Sequence, residues 1–185
     1  MNTSFSTQDN DNSSISCYSI CDYSSEGKIV DGIIDILNLL VEQNKGLKNY
    51  LKLVKKQEKS IFSMKSIPTI SLKDYLERVI SYSKIESNTL ITSLIYIDRL
   101  CQKTNLILTP YNMHRIIFTS ILLSLKYNED TLYSFSFYSK IAGVNVKELK
   151  SLESEFIKLI DFSLYVEAEQ FEKYKQYLLD CYEKL

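Results

Sequence analysis

Residues 109–126 read TPYNMHRIIFTSILLSLK, and this stretch decides how the rest of the chain is organised. Projected as a helix, the run from Ile116 to Leu125 leaves no polar face, because Ile, Phe and Leu side chains point in every direction. A helix that is apolar all round must be surrounded by other elements. We therefore predict a central helix that begins at Thr109–Pro110 and runs to about Lys126.

Helices are predicted on both sides of this stretch. Apolar residues recur at three- and four-residue steps, and the chain holds few of the glycines and prolines that many short strands would need. The fold class is therefore all-α, with five helices between Ser71 and Leu164. Predicted helix starts, besides Thr109, are Ser71, Glu86 or Ser87, Ser134 and Asn145, and Gly143 is predicted to end the fourth helix.

The remaining segments divide the chain into further parts. Residues 1–26 are rich in Ser, Thr, Asn and Asp and lack Lys and Arg, so we expect a disordered tail without a targeting signal. Residues 27–66 are predicted to form two helices and a linker. Residues 166–185 are predicted to form one C-terminal helix.

Composition argues against several classes of function. The 22 Lys and Arg against 23 Asp and Glu give a net charge of 22 − 23 = −1, whereas a nucleic-acid-binding protein is expected to carry a basic excess. No apolar run approaches the roughly twenty residues that cross a membrane. A single histidine, His114, and four cysteines without metal-binding spacing predict no metal and no cofactor. The chain is expected to be cytoplasmic or nuclear, and not to be an enzyme.

One carboxylate is out of place in the fifth predicted helix. Glu153 projects between Leu149 and Ile157, inside the apolar arc, where an unpaired charge would cost several kcal/mol. Lys126, at the end of the central helix, is the natural partner, since a cation there also faces the negative end of that helix. Two interpretations stay open: an internal ion pair, or a pair that presents charge to another protein.

Six motifs in this part of the sequence resemble a cyclin box of the P/U type, the phosphate-signalling class of cyclins. The resemblance covers residues 67–165. Its motifs are IPTISLKDYLER at 67–78, YIDRL at 96–100, MHR at 113–115, LKYNED at 125–130, YSKIAGV at 138–144, and the pairs EL at 148–149 and LE at 152–153.

The resemblance implies a regulatory subunit that forms a heterodimer with a cyclin-dependent protein kinase. In cyclins a lysine that ends the third box helix and a glutamate in the fifth hold the movable αC helix of the kinase in its active position. Lys126 and Glu153 stand at those places. Asp130 resembles an acidic residue of this class that faces a basic group of the kinase.

Two further expectations concern residues that support this site. The resemblance implies that Arg115 bridges to Glu148, although Glu148 also fits a capping box with Asn145. Asp98 and Arg99 are interpreted as internal contacts.

Thr69 and Ile70 stand where cell-cycle cyclins carry an arginine-containing docking motif, which argues against docking of Arg-x-Leu peptides. The alternative function is a cyclin-fold helical scaffold that activates no kinase.

Overall fold

The computed structural model describes residues 23–183, with side chains for residues 27–180, and this range holds eight helices and no strand. The helices are α1 (Tyr23–Lys45), α2 (Tyr50–Gln57), α3 (Leu72–Ser83), α4 (Ser87–Thr104), α5 (Met113–Asn128), α6 (Phe135–Ala142), α7 (Val146–Leu159) and α8 (Ala168–Glu183). The predicted all-α class and the five helices α3–α7 are confirmed.

Helix α5 lies at the centre of the molecule. Every residue from Ile116 to Leu125 is buried, and α3, α4, α6 and α7 all pack against the helix. Its small polar residues are hydrogen-bonded: the Ser120 hydroxyl donates to the Ile117 carbonyl of the same helix at 2.8 Å, and the Ser124 hydroxyl donates to the Thr89 carbonyl of α4 at 2.9 Å. Small hydroxyls bonded in this way let α4 approach α5 closely without an unpaired buried donor.

The predicted helix caps are present at four places, of which one is Ser134, whose hydroxyl accepts from the Phe137 amide at 3.3 Å at the start of α6. The Ser71 hydroxyl accepts from the Asp74 amide at 3.1 Å, and the Asn145 side chain accepts from the Glu148 amide at 2.8 Å. Gly143 ends α6 with φ of 73°, a left-handed conformation that glycine adopts without the steric cost of a Cβ. These caps fix where α3 and α7 begin and where α6 ends.

The predicted start of α5 is wrong by three residues. Residues 110–112 form a turn, and the helix begins at Met113 rather than at Pro110. Asn112 explains the difference, because its side-chain oxygen accepts from the Thr109 amide at 2.8 Å while its nitrogen donates to the Ile107 carbonyl at 3.0 Å. These bonds stabilise the turn in which Pro110 lies, and the helix follows it.

Helices α1 and α8 flank the box on one side. α1 packs against α8, α4 and α3, so the N-terminal helix covers the box. The predicted tail 1–26 overlaps α1 by four residues, since a polar turn adds to an existing helix more easily than a new helix starts. The rest of that tail, with Cys17 and Cys21, lies outside the described residues.

Two features, a membrane-spanning helix and a cluster of metal ligands, are absent from the described residues. No helix there is long and apolar enough to cross a membrane. Across residues 27–180, His, Cys, Asp and Glu side chains form no group of three that could hold a metal ion.

Candidate functional site

Lys126 and Glu153 form the ion pair that the sequence suggested. Lys126 Nζ lies 2.5 Å from Glu153 Oε1, and the two side chains are 32% and 17% exposed. Lys126 is placed by the last turn of the buried helix α5, and Glu153 by the middle of α7, where Leu149, Leu152 and Phe156 fix the helix against the core. The pair is thus held on rigid elements but keeps an open side.

An aromatic ring lies next to this pair. The Lys126 ammonium lies 4.2 Å from the centroid of the Phe135 ring, and the Lys150 ammonium lies 5.3 Å from the same centroid. Phe135 is half-buried at the start of α6, directly after the N-cap Ser134. The ring thus contacts two cations, of which only Lys126 has a carboxylate partner among the described side chains.

A groove of about 760 Å³ lies beyond Lys126. Its walls come from the start of α4, the end of α5 with the loop after it, and the segment that leads from α7 into the start of α8, and they include Tyr127, Asp130, Leu164 and Tyr165. Tyr127 is 49% exposed and Tyr165 is 69% exposed, which is high for large aromatic side chains. The charged residues of the walls are all acidic: Glu86, Glu129, Asp130 and Glu172.

Arg115 connects three elements at the other end of α5. It pairs with Glu148 at the start of α7, and it donates to the carbonyls of Ile61 at 2.8 Å and Ser63 at 3.2 Å. The expected bridge is therefore present. Glu148 makes no capping-box bond back to Asn145, because its carboxylate is directed to Arg115.

Asp98 and Arg99 join the box to the C-terminal helix. The Asp98 carboxylate accepts from the Tyr174 hydroxyl at 2.6 Å. Arg99 donates to the carbonyls of Ser163 and Tyr165 and to the Gln170 side chain, at 2.8 to 2.9 Å. These contacts fix the segment that carries Leu164 and Tyr165, so they also shape one wall of the groove.

Burial changes the pKa values of two interior side chains, Cys101 and His114. Burial, with the nearby Asp98 charge, raises the pKa of Cys101 to about 11, so the thiol is protonated near neutral pH. Burial also lowers the pKa of His114, whose Nε2 lies 3.2 Å from the Ile70 carbonyl. Neither of these two side chains is therefore set up as an activated nucleophile or base.

Sequence reasoning missed two features of the site. Phe135 is the first residue of α6, and nothing in the local sequence marks it. Only the folded structure shows that its ring contacts both Lys126 and Lys150. The linker before α3 was read as a connection, yet its Phe62 is fully buried and packs edge-on against Phe156, with centroids 6.0 Å apart. The signal available in the sequence was Phe62 itself, which is the one aromatic residue between α2 and α3.

The fold and the site together define an all-helical domain with one buried central helix and a partly exposed charged pair that joins α5 to α7. Comparison with known proteins gives the family. The model of the cyclin family matches residues 3–164, so this chain belongs to the cyclin family. Cyclins are regulatory subunits rather than enzymes themselves, and the resemblance read from the motifs is confirmed.

Individual relatives agree with the P/U type. Cyclin-U2-1 of Arabidopsis thaliana is 35% identical over 115 residues, which is 62% of this chain and 52% of the relative. Cyclin-U4-2 of the same plant is 30% identical over 158 residues, 84% of this chain and 73% of the relative. The PHO85 cyclin-like protein psl1 of Schizosaccharomyces pombe is 32% identical over 124 residues, 66% of this chain and 51% of the relative. The chain spans about half the length of most of the curated relatives it matches.

Proposed function

We propose that this chain binds and activates a cyclin-dependent protein kinase by holding the movable αC helix of the kinase in its active position. The observation that carries the proposal is the Lys126–Glu153 pair, 2.5 Å long, partly exposed and held by the rigid helices α5 and α7. The name of the fission-yeast relative, a PHO85 cyclin-like protein, supports a kinase partner.

The physical argument starts from the low value of such a pair for stability. Partly exposed ion pairs contribute about 0–1 kcal/mol, and an apolar pair often serves as well. Stability alone therefore does not explain why Glu153 lies inside the apolar arc of α7. Glu153 can accept from backbone or side-chain donors of a partner helix, and Lys126 can donate to its carbonyls, so the pair recognises helical backbone.

Activation then follows as a shift of population. The αC helix of a kinase carries the glutamate that pairs with the ATP-positioning lysine, and only one position of the helix allows this pair. A subunit that binds the kinase more tightly when its αC helix is in the active position raises the population of that state relative to the inactive one. The increase equals the ratio of the affinities for the two states. Asp130, exposed on the loop after α5, is proposed to face a basic group of the kinase, and Arg115 with Glu148 to hold α5 and α7 together behind the contact.

Co-purification from cell lysate tests the proposal. The wild-type chain is expected to retain a cyclin-dependent kinase that Glu153→Ala and Lys126→Ala lose, while all three keep the same helical circular dichroism. Lys173→Ala removes the exposed Lys173–Glu169 pair on α8 and is the matched control. Recovery of identical partners by all variants, with no kinase among them, would favour the scaffold alternative and overturn the proposal.

A further inference from the structure

The ring of Phe135 places two cations at the edge of the proposed kinase contact. The Lys126 and Lys150 ammonium groups lie 4.2 Å and 5.3 Å from its centroid. An aromatic face attracts cations within about 6 Å, by about 0.5–1 kcal/mol at exposed sites. Lysine side chains have many rotamers, so the shared ring limits where the Lys150 charge can be and adds to the constraint that Glu153 places on Lys126.

The two cations differ in how their charge is compensated. Glu153 neutralises Lys126, whereas none of the carboxylates on residues 27–180 forms an ion pair with Lys150. Lys150 is exposed on α7, one turn before Glu153. The charges of Lys126, Glu153 and Lys150 therefore add to about +1, and this charge is located at Lys150, beside the Phe135 ring.

The groove at the C-terminal end of α5 carries charge of the opposite sign. The groove that begins at Tyr127 has Glu86, Glu129, Asp130 and Glu172 in its walls and no Lys or Arg. A partner that covers both regions at once must therefore match a cation at one end and carboxylates at the other. Complementary charges of this kind select a partner and orient it.

We propose that Phe135 and Lys150 extend the Lys126–Glu153 pair into a partner-selecting surface, in which Phe135 is a positioning residue and Lys150 receives a carboxylate from the kinase helix. This inference rests on the proposed function. The partner it fits is a kinase whose contacting helix carries an acidic side chain opposite Lys150 and whose neighbouring segment, over the groove, is basic.

Nuclear magnetic resonance tests the positioning role without any kinase. Protons above an aromatic face shift upfield, so the ε-methylene signals of Lys126 and Lys150 should be upfield of those of Lys147, an exposed lysine one turn earlier on α7. Phe135→Leu should abolish the shift, and Phe135→Tyr should restore it. Signals of Lys126 and Lys150 that match those of Lys147 in the wild type would overturn the positioning role.

Affinity measurements test the selecting role with the cyclin-dependent kinase recovered by the wild-type chain. Lys150→Glu is expected to weaken binding about tenfold at low salt and less at high salt, while the matched control Lys147→Glu stays within about twofold of wild type. Equal effects of the two reversals would overturn this inference alone, provided that Glu153→Ala and Lys126→Ala still lose the kinase. Retention of the kinase by those two variants would instead overturn the proposed function on which the inference rests.

Discussion

At the scale of single residues, Glu153 shows how far one side chain can be interpreted from sequence. The helical projection placed its carboxylate among apolar neighbours, and the structure places it 17% exposed with Lys126 as its partner. Projection predicts direction well because the period of a helix is fixed. It does not predict Phe135, because a ring becomes part of the site only when α6 is folded against α5 and α7.

The wrong start of α5 has a similar physical origin. Pro110 is favourable at the first position of a helix, but it is equally favourable in a turn, and local sequence does not separate these cases. The side chain of Asn112 decides the matter through its bonds to Thr109 and Ile107. Both ends of those bonds depend on how the α4–α5 loop is folded.

His114 gives a prediction about pH at the same scale. The ring is buried, its Nδ1 has no hydrogen-bond partner, and burial lowers its pKa from the usual value near 6.5. The unfolded chain then binds a proton more readily than the folded chain as the pH falls through 6.5. The contribution of His114 to stability is therefore complete above that pH and is lost below it, by at most about 1.4 kcal/mol per pH unit.

Urea unfolding at several pH values between 7.5 and 5 measures this effect. We expect the free energy of unfolding of the wild type to decrease as the pH is lowered. The decrease should be smaller in His114→Gln, whose amide can still donate to the Ile70 carbonyl. Because His114 is the single histidine of the chain, no other imidazole contributes. Parallel pH profiles for the two proteins would contradict the assignment.

At the scale of elements, the box helices follow from their caps and apolar stripes, whereas the flanking helices depend on contacts between distant parts of the chain. The sequence spaces Leu47, Leu51 and Val54 as one apolar side of a helix, yet α2 has no buried residue and Leu51 is 79% exposed. A short helix with apolar residues at the right spacing still needs a surface to cover. The sequence does not say that α1 and α8 cover each other instead.

The contact between α1 and α8 depends on a glycine. A Cβ added at Gly32 would lie 3.1 Å from the Leu178 carbonyl oxygen and 3.3 Å from its Cδ2, whereas one added at Gly27 in the same helix would meet no atom within 4 Å. The close approach explains why Leu178 is completely buried. Larger side chains at Gly32 must push α8 away from α1.

The same substitution at the two glycines tests this contact. Gly32→Leu is expected to lower the free energy of unfolding by about 1–3 kcal/mol through overpacking. Gly27→Leu should be neutral or stabilise by up to about 1 kcal/mol, because leucine is the better helix former and space is open. Thermal and urea unfolding measure both. If the two variants have equal stability, α1 and α8 do not pack as described.

At the scale of the whole molecule, two kinds of charged surface meet near the end of α5. The net charge of −1 conceals them, because it sums 22 basic and 23 acidic residues over the whole chain and does not show where each sign is concentrated. Composition alone therefore predicts no large nucleic-acid surface but says nothing of a local site. The combination of motifs, a central apolar helix and one inward carboxylate was needed to suggest the region, and the fold was needed to bring Phe135 and Tyr165 to it.

The central claim is that the Lys126–Glu153 pair switches a kinase on, and reconstituted kinase activity measures this most directly. The recovered cyclin-dependent kinase is mixed with saturating amounts of wild type, Glu153→Ala, Lys126→Ala or the control Lys173→Ala, and phosphate transfer to a short peptide is followed. We expect full activity with wild type and Lys173→Ala, and loss of at least about tenfold with either site variant, since each removes contacts made with the active position of the αC helix. Undiminished activity with Glu153→Ala and Lys126→Ala, in chains that remain folded, would contradict the account.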